Sequence, residues 1–191
     1  MKNNILKTGF VMILAMTIAS FTTVAEKSVN VKDSNISWKG YKVTGSHEGT
    51  ITLSKGILMF DDNNNLTGGN FTMDMSSITV TDLKAGEGKE KLEGHLKSDD
   101  FFGVNNHKQA TFSINKVDGK NGTYRVYGDL TIKGITKPAT FQMIVKDNMA
   151  SASFKIDRTK YDIRYGSASF FDDLKDKAIY DEFDLNVNLK F

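Results

Sequence analysis

Cysteine is absent from the 191-residue sequence, and proline occurs once. Without cysteine the chain has no disulfide, no thiolate nucleophile, no zinc–cysteine site and no lipid-modified N-terminal cysteine. An excess of one charge is also missing. Lys and Arg number 25 against 23 Asp and Glu, a formal +2. That is too little for the strongly basic face that nucleic-acid binding needs. Disorder is excluded by composition, with 39% hydrophobic residues and 13 Phe.

The first residues have their own pattern. Lys2 and Lys7 precede an uncharged, mostly apolar run from Gly9 to Ala19, and Thr23-Val24-Ala25 places small residues after it. This is the layout of a secretory signal peptide, expected over residues 1–25. The apolar run is too short for a spanning helix. Cleavage after Ala25 leaves 166 residues as a single domain over 26–191, with 23 charges of each sign. The expected location is periplasmic or secreted, with no stable membrane insertion once the leader is gone.

Beyond residue 25 the dominant signal is alternation. Tyr124, Val126, Gly128, Leu130 and Ile132 share one parity, with Arg125, Tyr127, Asp129 and Thr131 between them. Ala139 to Val145, Ala150 to Ile156 and Phe183 to Phe191 repeat it. Shorter runs occur at Ile36–Trp38, Thr50–Leu53, Ile57–Phe60, Phe71–Met75 and Thr111–Val117. A period of two means antiparallel strands with one face buried. Asp118-Gly119 and Asn121-Gly122 predict a hairpin turn, and Asp61 to Asn65 another loop. Pro138 is expected just before a strand. Helical spacing predicts a short helix within Gly88–Phe102 and a weaker one within Phe171–Tyr180. The expected fold is all-β, a closed barrel of about eight strands with one or two short helices.

Motifs of site chemistry are sparse. His47, His95 and His107 show no i, i+4 pair; His47 falls in a glycine-flanked turn, His95 on the predicted helix. No metal site is assigned. Asp61, Asn63 and Asn65 begin like a calcium loop, but Leu66 and Thr72 stand where its glycine and glutamate belong. Gly86-Glu87-Gly88-Lys89 lacks the Ser or Thr of a phosphate loop, and no Gly-x-Ser-x-Gly elbow occurs. No cofactor is expected. Asn-x-Ser/Thr occurs at Asn35, Asn65, Asn70 and Asn121, which matters only where the source glycosylates. Phe71, Met73 and Met75 share a strand face, as do Phe141 and Met143. Such adaptable side chains fit a packed core or a lined apolar cavity, and both readings stay open.

Several segments together resemble the YceI-like family of secreted bacterial lipid-binding proteins. They are Trp38 with Gly45-Ser46-His47-Glu48-Gly49; Leu92-Glu93-Gly94-His95-Leu96-Lys97-Ser98-Asp99-Asp100-Phe101-Phe102; and Gly128 through Pro138. Phe154-Lys155-Ile156-Asp157-Arg158, Tyr161 with Ile163 to Gly166, and Asp181-Glu182-Phe183 complete the set. The resemblance implies a lipocalin-like barrel. It implies non-catalytic binding, transport or sequestration of a long-chain amphiphile: a polyisoprenoid, an isoprenoid quinone or a fatty-acid derivative. Dimers are common in the family, so a homodimer stays open. No catalytic residue carries over.

Strand parity then assigns the tail-lining candidates: Trp38, Phe71, Met73, Phe112, Leu130, Ile132, Phe141, Met143 and Phe154. The head-group candidates are His47, Asp74, His95, Asp157 and Arg158. Arg158 has a second reading, pinning a strand end through a salt bridge to Asp157. Two other functions stay open. An enzyme acting on a hydrophobic small molecule would need a pair such as His95 with Asp74. A structural or interaction barrel would be fully packed.

Overall fold

The computed structural model describes residues 24–191. The expected leader lies outside the described residues, apart from Val24 and Ala25. Strands β1 (Ala25–Ser28) and β2 (Asn35–Lys42) lie end to end along β3 (Gly45–Phe60), separated by a 3-10 turn at Val31–Asp33. The chain continues through β4 (Leu66–Val80), helix α1 (Lys89–Lys97), β5 (Gln109–Lys120), β6 (Thr123–Ile132), β7 (Ile135–Lys146), β8 (Met149–Asp157) and β9 (Ile179–Lys190). From β2 onward each strand pairs antiparallel with the next, and β9 returns to β2. The sheet is therefore a closed eight-position barrel, because β1 and β2 share one position.

Tight turns follow the local sequence. Asn121-Gly122, Lys133-Gly134 and Asp147-Asn148 all adopt positive φ, the backbone that two-residue hairpins require. The Asp61 carboxylate accepts from the backbone N–H of Asn63 and Asn65 at 3.0 and 2.7 Å, closing the β3–β4 loop.

Four local expectations are corrected. Asp118-Gly119 lies inside β5, and Asn121-Gly122 alone makes the turn. The glycine-flanked segment around His47 is not a turn; it opens β3, with His47 opposite Gly40. Pro138 lies within β7 rather than before it. The two-residue turn makes Ile132–Ile135 a hydrogen-bonded pair, so Pro138 faces away from β6. There β7 has no partner, because the β7–β8 ladder runs only from Met143–Ala152 to Lys146–Met149. Stacked rings of Phe141 and Phe154, 4.1 Å between centroids, fill the gap. Helix α1 forms where a short helix was expected, within Gly88–Phe102, and stops at Lys97. Ser98 is extended there, and its hydroxyl and N–H both donate to His95 O. Within Phe171–Tyr180 only a 3-10 turn forms, at Lys175–Lys177. Asp173 and Lys175 take positive φ, which breaks a helix.

The core divides along the barrel axis. At the end holding the β3–β4 and β5–β6 loops, Leu58, Phe60, Leu66, Tyr124 and Val126 are almost fully buried. They pack into a solid floor. The opposite end carries the two long connections, residues 81–108 with α1 and residues 158–178.

Candidate functional site

Above that floor the barrel is hollow. A cavity of about 330 Å³ runs from Leu189, Met143 and Leu53 up to Lys42 and Tyr180. Inward positions of β2 to β9 form its wall, and Leu92, His95 and Leu96 of α1 cover part of its upper end. Tyr180 is both on the wall and 56% exposed, so the cavity opens there, at the start of β9.

Alternation explains the lining. All nine residues assigned to the tail by parity stand on the cavity wall: Trp38, Phe71, Met73, Phe112, Leu130, Ile132, Phe141, Met143 and Phe154. The aromatic part is continuous. Phe112 lies 6.4 Å from Phe71 and 5.2 Å from Phe141, which stacks on Phe154. Two inward glycines act differently. A Cβ at Gly128 would meet the Phe112 ring at 2.6 Å, so that glycine makes room for a side chain. A Cβ at Gly40 would meet nothing within 4 Å, so that glycine leaves space at the mouth.

The polar candidates separate into two groups. His47, His95 and Arg158 border the cavity, whereas Asp74 and Asp157 do not. Asp74 accepts from Ser76 N–H at 2.9 Å and from the Ser76 hydroxyl at 2.6 Å, holding a bend in β4. Asp157 accepts from Thr159 N–H at 3.0 Å and caps the 3-10 turn Arg158–Tyr161. Local Ser and Thr donors have captured both carboxylates. The His95–Asp74 pair that hydrolysis would call on is not assembled on the wall.

Arg158 is 2% exposed, and each of its three guanidinium nitrogens donates to a backbone carbonyl. Nε donates to Tyr180 O at 3.1 Å, Nη1 to Ile163 O at 2.7 Å and Nη2 to Ile179 O at 3.0 Å. Its nearest acid is Asp181 at 3.7 Å, which replaces the expected Asp157 bridge. Burial lowers the guanidinium from its ordinary value, and Asp181 and Asp157 oppose that shift. Arg158 thus ties the 158–178 connection to the start of β9, beside the opening.

His47 Nδ1 sits 2.8 Å from Asp82 Oδ2, joining β3 to the 81–88 loop. Burial alone would raise the Asp82 carboxyl, but the Glu48 N–H and His47 hold it below the usual range. His95 packs edge-on to Phe101 and Tyr165, with centroids 5.5 and 4.4 Å away. Among the described residues, its Nε2 and Trp38 Nε1 are buried without a hydrogen-bond partner. His107 stands beside Gly103 and Gly134, away from the cavity. Among the described residues no three His, Cys, Asp or Glu side chains gather as a metal site.

Pattern reading missed part of the wall. Phe183, Leu185, Val187 and Leu189 line it from β9, and Gly40 and Lys42 line it near the opening. The signal was available in the cleanest alternating run and in the inward parity that Gly40 shares with Trp38.

The fold is a closed antiparallel, lipocalin-like barrel with a packed floor and an open, almost wholly apolar interior that has room for a hydrophobic ligand. The YceI-like domain model matches residues 27–191, and the chain belongs to that family. A UPF0312 protein of Vibrio parahaemolyticus is 28% identical over 150 residues, covering 74% of this chain and 73% of its own. Protein YceI of Shigella flexneri is 29% identical over 94 residues, covering 49% and 46%. Among solved structures, Burkholderia cenocepacia BcnA matches with a TM-score of 0.66 at 20% identity, covering 84% of this chain and 98% of its own. A polyisoprenoid binding domain from Saccharophagus degradans, implicated in plant cell wall breakdown, matches at TM-score 0.58 and 12% identity, covering 87% and 97%. These structural likenesses establish the fold. No helix among the described residues is long and apolar enough to cross a membrane.

Proposed function

We propose that the protein is a non-catalytic carrier of a long-chain amphiphile, working in the periplasm or outside the cell after loss of residues 1–25. The observation that carries this reading is the open cavity of about 330 Å³. Its wall is almost entirely carbon. Burying a methylene there stabilises the complex by about 0.8 kcal/mol, less the cost of ordering the chain. The polyisoprenoid ligand of the Saccharophagus domain supports a chain of that kind. Polyisoprenoids, isoprenoid quinones and fatty-acid derivatives all fit, because apolar contacts discriminate weakly among tails. The tail lies against Phe71, Phe112, Phe141 and Phe154. The head stays at the opening, near His47, His95 and Arg158; Asp74 and Asp157 take no part.

The test is mass spectrometry of a solvent extract of purified protein. The expected result is one or more long-chain amphiphiles at near-stoichiometric amount. An extract without amphiphile, together with no uptake of long-chain lipids in titration, would falsify the proposal.

A further inference from the structure

Five of the eight large exposed hydrophobic side chains among the described residues lie at the open end of the barrel. Val43 is 55% exposed, Tyr165 49%, Phe170 46%, Phe171 50% and Tyr180 56%. All five sit on the β2–β3 turn, on the 158–178 connection, or just inside β9. They are fastened to the rim of the cavity. The Val43 N–H donates to Ala178 O at 3.1 Å, and Ile179 on the wall donates to Gly166 O at 2.8 Å. Tyr165 packs on His95, and Tyr180 is itself part of the wall. The N–H groups of Phe170 and Phe171 both donate to Ser167 O, and the Arg164 guanidinium lies 4.7 Å from the Phe170 ring centroid.

Charge around this ring is mixed. Residues 158–182 contain five Lys and Arg and six Asp and Glu. Neither an anionic nor a cationic surface is selected, so attraction must come from apolar insertion. A bilayer accommodates Tyr and Phe side chains at the headgroup level and holds the kind of long-chain amphiphile that the opening beside them would admit.

We propose that this aromatic ring docks the cavity opening onto the surface of a lipid bilayer. The inference rests on the carrier reading above. Docked in this way, the ligand tail passes between bilayer and cavity along a continuous apolar path and avoids hydration on the way.

The test is sedimentation of the purified protein with phosphatidylcholine vesicles. The variants are F170S/F171S and, as a control, I144S/M149S, which removes exposed apolar residues elsewhere. All four positions are 46–51% exposed, so both variants retain the fold. The account expects F170S/F171S to bind vesicles at least about tenfold more weakly, at low and high salt alike, with the control unchanged. Titration with a free long-chain amphiphile should saturate F170S/F171S and the unmodified protein alike, which separates docking from cavity binding. Equal vesicle binding by both variants overturns the inference. So does a wild-type dimer that F170S/F171S dissociates while the wild type ignores vesicles; that result assigns the ring to a second copy. A wild type that binds vesicles but yields no lipid overturns the carrier reading instead.

Discussion

Phe60 and Phe141 are both inward aromatic residues, and the account predicts opposite phenotypes for them. Phe60 is 1% exposed in the solid floor and touches no part of the cavity. Its truncation to Ala should cost about 3–5 kcal/mol in denaturant unfolding and leave lipid retention intact. Phe141 has one side on the cavity, so Phe141→Ala should cost only about 2 kcal/mol while reducing lipid retention. Equal costs with unchanged retention would indicate a packed barrel. At this scale parity carried far: it assigned nine wall residues from alternation alone. The head-group candidates Asp74 and Asp157, named without help from parity, stand off the wall, because the sequence pattern does not reveal that Ser76 and Thr159 offer nearby donors. The anchoring of Arg158 was equally hidden, since two of its three carbonyl partners, Ile179 and Tyr180, lie 21 and 22 residues away.

The elements that cover the mouth depend on a few carboxylates. Glu93 on α1 accepts from the Thr79 hydroxyl at 2.5 Å and the Val80 N–H at 2.9 Å, fixing the helix to β4. Those two hydrogen bonds hold the Glu93 carboxyl below its ordinary value, and Asp82 is also lowered. A carboxyl lowered in the fold contributes stability above its unfolded value of about 4, and that contribution is lost as pH falls through the folded value. Acid should therefore loosen α1 and the 81–88 loop before the barrel strands. Hydrogen exchange checks this: below about pH 4, amides of Lys89–Lys97 should lose protection ahead of β6 and β9. Glu93→Gln should remove the pH dependence of α1 protection. The position of α1 was legible from Leu92 and Leu96, one helical turn apart. Its C-terminal boundary was not, because it depends on the fold-back in which the Phe102 N–H donates to Leu96 O.

For the whole molecule, closure of the sheet was legible from the number of alternating runs and the lack of disulfides. The split between solid floor and hollow upper barrel was not, since both halves use the same inward residue types. Side-chain size and the glycine pair make the difference, and these act only once strand register is fixed. The hollow accounts for the half-exposed Phe183, Leu185 and Val187 in an otherwise inward row.

The central claim is that the hollow takes up an apolar chain, and Gly40 offers the means to test it. Gly40→Phe would place a ring where a Cβ meets open space, filling the opening without displacing backbone. The decisive measurement is titration of delipidated protein with amphiphiles of one head group and increasing chain length, in the wild type and in this variant. The account predicts wild-type affinity rising by up to about fourfold per added methylene until the cavity is full, with Gly40→Phe folded but binding weakly at every length. Affinity that does not depend on chain length, or that survives Gly40→Phe unchanged, would contradict it.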